Sequence, residues 1–301
     1  MSVAQGIYWL SSYPKSGNTW FRMVLANALH PLQQALHINQ INITRNASSR
    51  ELLVEALGFN SYLLSEDELL SLRPIIYQWQ GQKKMGVQYF KIHDAYIYID
   101  EKTPLIPQEG SLGALYFIRN PLDIAISFAH HCNISIDQSI DFMCEKDAKI
   151  YGNSEFIGLQ PQQYLLSWSR HVESWTTINR HIPVLCIRYE DMHLSSFATF
   201  KRALQFLHLD LSDQAILTAI NHSRFENLHQ QELQHGFREK LFVQKHFFRK
   251  GMIGDWEQTL NQSQINKIIA HHQAVMFAHG YIDEHQKPIR YNVVEDQGWT
   301  I

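Results

Sequence analysis

Cysteine is scarce in this chain. Its 301 residues hold three, Cys132, Cys144 and Cys186, with no CxxC pair and no metal-ligand spacing. An odd count in a chain of this length points to reduced thiols instead of a disulfide framework, and no metal is expected. Long apolar runs are also missing: nothing approaches the roughly 18 residues of a membrane helix, and no basic stretch leads into an apolar one at the N-terminus. The expectation is a cytoplasmic chain without a membrane partner. With a net charge of −3 there is no overall basic field to hold nucleic acid, so any anionic ligand must be bound by a local cluster.

What is present is ample material for one core. The chain is 45% hydrophobic and 18% charged, without repeats, low-complexity tracts or a linker, which predicts one α/β domain over 1–301. Short β-branched or aromatic runs predict strands at 7–11, 87–92, 114–118 and 184–187. Helical patterns fall at 18–29, 65–72, 122–131, 161–179, 197–207, 212–221 and 262–279, the second opened by a Ser65-Glu66-Asp67-Glu68 capping box. Strands alternating with helices imply right-handed crossovers and a mostly parallel sheet flanked by helices, with ligands at the carboxyl ends of its strands.

The most informative stretch is the apolar strand from Tyr8 that runs into Ser12-Tyr13-Pro14-Lys15-Ser16-Gly17-Asn18-Thr19-Trp20. Such a strand, ending in a Pro, Lys and Gly turn that opens a helix, presents unpaired backbone N–H groups and the positive helix end to one point. Lys15 adds a mobile charge there, and Ser16, Asn18 and Thr19 add short neutral donors. The nucleotide-triphosphate P-loop needs Gly-Lys-Ser/Thr, whereas here Lys15 precedes Gly17. That order, and the lack of an acidic strand end to hold Mg²⁺, weigh against a nucleotide kinase.

Two further patterns suit anions. In Tyr116-Phe117-Ile118-Arg119-Asn120-Pro121 a strand delivers a guanidinium to its end, with Ser127 eight positions on. The planar fork of Arg binds two oxygens of a terminal phosphate and a serine supplies a third donor; a structural ion pair is the alternative. Arg249-Lys250-Gly251-Met252-Ile253-Gly254-Asp255-Trp256 sets two cations before two glycines, where backbone N–H groups can approach a ligand; a solvated pair is the bland alternative.

Taken in this order, the three motifs resemble the sulfotransferases that use 3′-phosphoadenosine 5′-phosphosulfate (PAPS), and the resemblance runs over nearly the whole chain. It implies a P-loop-like sulfotransferase fold, PAPS as donor, 3′-phosphoadenosine 5′-phosphate (PAP) as product, and no metal. By that likeness Lys15, Ser16, Gly17, Asn18 and Thr19 form the phosphosulfate loop and Trp20 stacks on adenine. Arg119 and Ser127 pair with the 3′-phosphate, over which Arg249, Lys250 and Gly251 close. Tyr189 meets the adenine, and Ser223 with Phe225 forms the next contact segment. The family's catalytic histidine follows a strand and a lysine, a place that Lys91-Ile92-His93 fits, so His93, Lys15 and Lys91 are the catalytic candidates. A histidine of ordinary pKa near 6.5 suits a general base at neutral pH.

The chain departs from the family pattern on the acceptor side. Asp94 stands where an apolar residue is usual and His131 where an aromatic is, and with Tyr13 they are the candidate acceptor contacts. A carboxylate there favours a polar small molecule, cationic or multiply hydroxylated, sulfated on a hydroxyl or an amine; Asp94 could equally turn away and cap a local turn, which leaves apolar phenols and alcohols as the alternative. The loops 39–58, 94–110 and 225–248 are expected to shape that pocket. Where the family carries a dimerisation motif this chain has Asn261-Gln262, so its oligomeric state stays open. A catalytically silent PAP-binding module is the remaining rival.

Overall fold

The fold is organised around β1 (Gly6–Ser12), whose seven residues are all buried. A strand covered on both faces and paired on both edges is largely apolar: Ile7, Trp9 and Leu10 have no exposed surface, and only at its carboxyl end do the buried serines Ser11 and Ser12 appear. The computed structural model describes residues 4–30, 34–83, 86–151, 160–241 and 243–291. From β1 the chain passes through α1 (Asn18–Leu29), β2 (Thr44–Asn46), α2 (Arg50–Leu57), α3 (Glu66–Lys83), β3 (Val87–Ile92) and β4 (Ser111–Ile118). It continues through α4 (Pro121–Cys132), α5 (Ile136–Cys144), the short hairpin partners β5 (Lys149–Ile150) and β6 (Gln163–Tyr164), and α6 (Trp168–Glu173), which runs into a π-helical turn at Ser174–Ile178. Then come β7 (Val184–Arg188), α7 (Tyr189–Leu194), α8 (Ser196–Phe206), α9 (Asp213–His222), α10 (Phe225–His235), α11 (Trp256–Thr259) and α12 (Gln262–Ala278).

The five-stranded sheet has the order β2-β3-β1-β4-β7, and β1 is parallel to both neighbours. Its register sets Ser11 beside Ile92 on one side and beside Tyr116 on the other. The residues that follow β1 and β3 therefore emerge together at one sheet end, which is what positions the site. The described chain packs as two compact units, neither continuous in sequence: Met1–Arg22, Ile41–Ile118 and Glu145–Cys186 form one, and Met23–Gln40, Arg119–Cys144 and Ile187–Ile301 the other.

Local chemistry explains most element ends. Ser65 and Glu68 bond reciprocally to each other's backbone N–H at the start of α3. Asn120 caps α4 ahead of Pro121, and Asn133 closes it in the left-handed region at φ 55°. Asn261 and Gln264 box the start of α12. The expected helix over 161–179 is corrected: β6 occupies 163–164, Leu166 turns left-handed at φ 60°, and Ser167 caps α6 one residue later. The expected loops 39–58 and 225–248 contain α2 and α10, and α5 also goes unsignalled. α10 buries only Leu228 and Glu232, too few to print a helical stripe on the sequence.

Burial holds three histidines neutral. His171 and His193 are pushed down to about 4 and His272 to about 3, from an ordinary 6.5. In the unfolded chain these groups titrate near 6.5, so the unfolded state takes up protons first as pH falls. Their stabilisation is complete above about pH 6.5 and is lost toward about pH 4, by about 1 kcal/mol per histidine per pH unit. Burial pushes the Asp123 and Glu190 carboxylates up, an effect of opposite sign. Circular dichroism melts should show Tm falling from about pH 7 to about pH 5; a flat Tm across that interval contradicts the assignment.

Candidate active site

The turn between β1 and α1 is built in an uncommon backbone conformation. Lys15 sits at φ 71° and Gly17 at φ 94°. A lysine gains nothing locally from the left-handed region, which costs it about 1–2 kcal/mol, and such strain collects at ligand-binding turns. Asn18 clamps the turn, donating from Nδ2 to the Leu10 carbonyl at 2.8 Å and to Ser12 Oγ at 3.4 Å. Its amide hydrogens thus serve the loop and are not aimed at an anion, a refinement of the expected donor role. The Ser16 hydroxyl, by contrast, is buried with no hydrogen-bond partner. An orphaned hydroxyl beside a lysine and the first-turn amides of a helix is a donor set suited to an oxyanion.

His93 follows β3 and is tied to the same turn. Its Nδ1 lies 2.8 Å from the Ser12 carbonyl oxygen and 3.3 Å from Ser12 Oγ. A carbonyl can only accept, so Nδ1 carries the proton and the basic lone pair is on Nε2. The His93 carbonyl in turn accepts from His171 Nε2 at 2.9 Å, and Tyr116 OH donates to His171 Nδ1 at 2.8 Å. Burial keeps His171 neutral at pH 7. Tyr13 is buried edge-on to His171, with ring centroids 5.4 Å apart. Lys91, half-buried, lies two residues before His93 on β3.

Asp94 does not face an acceptor, which corrects the expectation. It has no exposed surface, and the Arg73 guanidinium grips both its oxygens, Nη1 to Oδ1 at 3.1 Å and Nη2 to Oδ2. Ser48 Oγ donates to Oδ2 at 3.2 Å and the Tyr164 N–H to Oδ1 at 3.0 Å. The carboxylate is neutralised and its lone pairs are engaged, so it exerts no claim on a cationic ligand. Arg73 stands 21 residues upstream on α3, beyond the reach of any local pattern.

In the second unit the groups that follow β4 assemble with the glycine loop. The Arg119 guanidinium lies 4.3 Å above the Tyr189 ring and donates to the Met252 carbonyl at 2.9 Å. Asp123, one turn along α4, accepts from the N–H groups of Gly254 at 2.8 Å and Trp256 at 3.0 Å. Arg249 and Lys250 both reach Asp255 at 2.5 Å. Gly251 takes φ 60°, and a Cβ there would meet the Phe225 ring at 2.0 Å, so only glycine fits. Arg119, Tyr189, Phe225 and the Arg249-Lys250-Gly251 run are thereby fixed to one another.

A profile of the sulfotransferase domain matches residues 7–280. The chain belongs to the sulfotransferase domain family. It is 31% identical to mouse (Mus musculus) sulfotransferase 1A1 over 114 residues, 36% of this chain and 39% of that protein. With the amine sulfotransferase of Oryctolagus cuniculus it shares 23% identity over 267 residues, 84% of this chain and 75% of that one. A mouse sulfotransferase structure complexed with PAP superposes at TM-score 0.56 and 17% identity, covering 92% of this chain and 85% of that one. Retinol dehydratase in complex with retinol and PAP gives 0.58 and 16%, covering 97% and 84%. These structural likenesses establish the fold. Family membership makes the chain a PAPS-dependent transferase, with PAP as the spent donor.

Within this sulfotransferase fold the remaining candidates divide. Thr19 is buried and Trp20 half-buried on the first turn of α1, and Ser127 is half-buried on α4. His131, half-buried at the end of α4, donates from Nδ1 to Gln244 Oε1 at 3.0 Å, since the Gln244 amide nitrogen is directed at the His246 carbonyl. Ser223 is fully buried and its hydroxyl accepts from Asn27 at 3.1 Å, so it packs α1 against the end of α9 and does not present itself to a ligand. The residue that sequence reasoning missed is His171. Its one signal was a histidine in the apolar helical run of Trp168, Val172 and Trp175.

No helix among the described residues is long and apolar enough to cross a membrane. The reassignment of Asp94 yields a direct test. Arg73→Met leaves a buried carboxylate without its counter-charge and should cost about 3–5 kcal/mol of stability, read from urea melts. Asp94→Asn should likewise lower stability and shift the Michaelis constants of cationic and neutral acceptors alike; a selective loss for cationic acceptors would return Asp94 to the pocket.

Proposed function

We propose that this sulfotransferase moves the sulfuryl group of PAPS to a hydroxyl or amine of a small-molecule acceptor, with His93 as general base. The observation that supports it most is the Nδ1 proton of His93 directed at the Ser12 carbonyl, which leaves Nε2 basic at the end of the strand pair. PAPS supplies an activated sulfuryl group on a phosphate leaving group. His93 Nε2 takes the acceptor's proton while the acceptor oxygen or nitrogen bonds to sulfur in line and the bond from sulfur to the phosphate oxygen breaks. Lys15, with the turn amides and Ser16, stabilises the charge that grows on the leaving oxygen, and Lys91 assists.

The 3′-phosphate falls to Arg119, Ser127, Arg249, Lys250 and Gly251, and the adenine to Trp20, Tyr189 and Phe225. Asp255, whose own charge Lys250 and Arg249 favour against the effect of burial, holds that cation pair in place. For the acceptor, the engaged Asp94 removes the reason to favour a cation, so a neutral phenol or alcohol is as compatible as an amine. His131 and Tyr13 stay as the residues proposed to shape its pocket. The chain is proposed to act as one domain, in the cytoplasm.

Calorimetry should show PAP binding more than about tenfold tighter than AMP, because charge-assisted bonds to the 3′-phosphate are worth about 1.5–3 kcal/mol each. Arg119→Ala should abolish most of that preference while the chain stays folded; equal affinities in the native protein would remove the donor assignment. His93→Ala should lower turnover by about 10²–10⁴ and leave PAP affinity nearly unchanged, and in single-turnover assays with labelled PAPS it should transfer almost nothing. Native-like turnover in that variant would dismiss His93 as the base, and absence of transfer by the native protein to any phenol, alcohol or amine would favour a silent PAP-binding module.

A further inference from the structure

His93 is held by its main chain as well as by its ring, and three groups that hold the main chain of this segment come from α6 and the π-helical turn behind it. His171 donates from Nε2 to the His93 carbonyl at 2.9 Å, and the Trp175 indole donates to the Asp94 carbonyl at 3.0 Å. Ser174 Oγ accepts from the Tyr96 N–H at 2.9 Å and donates to the His171 carbonyl at 2.7 Å. One face of one helix thus fixes three backbone groups of the segment leaving β3. π-helical turns are rare, and where they occur they frequently sit at functional sites.

His171 is the member of this set whose chemistry exceeds packing. It has no exposed surface, yet an apolar side chain of that size would fill the space without two buried polar partners. Because the His93 carbonyl can only accept, the His171 proton is on Nε2, and Tyr116 OH must then donate to Nδ1, at 2.8 Å. The His93 carbonyl thereby sets the tautomer of His171, Tyr116 fills the acceptor nitrogen that this leaves, and the His171 N–H fixes the His93 peptide. The His93 ring is pinned independently to Ser12. With both ring and peptide fixed, Nε2 has a set direction.

We infer that His171 is a positioning residue for sulfuryl transfer, holding the His93 carbonyl so that His93 Nε2 meets the acceptor at the productive angle. The inference rests on the reading of His93 as the base. Misplacement of a catalytic group by about 1 Å can cost about 10²-fold in rate, whereas donor binding has no stake in the His93 peptide.

The test uses the full chain, 35S-labelled PAPS and the best acceptor from a screen of phenols, alcohols and amines. His171→Phe should lower kcat by about 10- to 100-fold with the calorimetric Kd for PAP within about twofold of native. Added to His93→Ala, the same substitution should change turnover by less than about threefold, because its effect passes through a group already removed. An equal loss on both backgrounds, or PAP affinity falling in step with kcat, overturns the proposal. Native-like turnover of His93→Ala alone would instead overturn the base reading, so the two failures are distinct. If the Phe variant does not fold, Gln and Asn at position 171 carry the test. The Gln amide reaches the place of Nε2 and should keep kcat within about threefold, whereas Asn falls short and should lose about tenfold or more; equal kcat for the two overturns the proposal.

Discussion

The arrangement depends on one hydrogen bond, from His93 Nδ1 to the carbonyl of Ser12. It exists because β1 and β3 are parallel neighbours in a register that sets Ser11 beside Ile92, so that the next residue of each strand leaves the sheet side by side. A neutral imidazole bonded this way has no choice of tautomer. The same strand end that opens the Lys15–Gly17 turn therefore also fixes which nitrogen of the histidine is basic. Fold, turn chemistry and proton placement follow from a single pairing.

Around this bond lies a shell of buried polar groups, and it is the satisfaction of each that makes the shell rigid. Arg73 with Asp94, His171 with Tyr116, and Trp175 with the Asp94 carbonyl occupy the layer under the residues that leave β3. Each would be a liability if left unpaired in the low-dielectric interior. In the second unit the same logic recurs: Asp123 fastens the Gly254–Trp256 backbone, and Glu190, fully buried, accepts from the Asn120 N–H at 2.9 Å and from Tyr281 OH at 3.1 Å. Buried carboxylates hold the loops from which the cations project.

Much of this was legible from local patterns. The Lys-Ser-Gly turn, Arg119 after its strand, and the Arg-Lys-Gly run are each a short stretch whose chemistry is complete within a few residues, and the apolar strands leading into them mark a parallel sheet. What was illegible depends on partners distant in sequence. Nothing near Asp94 announces that Arg73 on α3 will neutralise it, and so a structural carboxylate read as a pocket group. Ser223 read as a ligand contact because its engagement by Asn27, 196 residues away, leaves no local trace. His171 was hidden among 17 histidines, although a histidine within a Trp-Val-Trp helical stripe is a buried polar group in need of partners. α10 escaped because its fixed point is Glu232, which accepts from the N–H groups of Phe247 at 2.6 Å and Phe248 at 2.8 Å, and not an apolar face.

The central claim is that the fold fixes His93 as the Nδ1-protonated tautomer. Long-range proton–nitrogen correlation NMR on protein labelled with 15N-histidine, assigned with His93→Gln, reads the tautomer directly above the pKa of the ring. The account predicts a pyrrole-type signal for Nδ1 and a pyridine-type signal for Nε2, persisting when PAP is added. A pyridine-type Nδ1, or averaged signals for the two nitrogens, would contradict it.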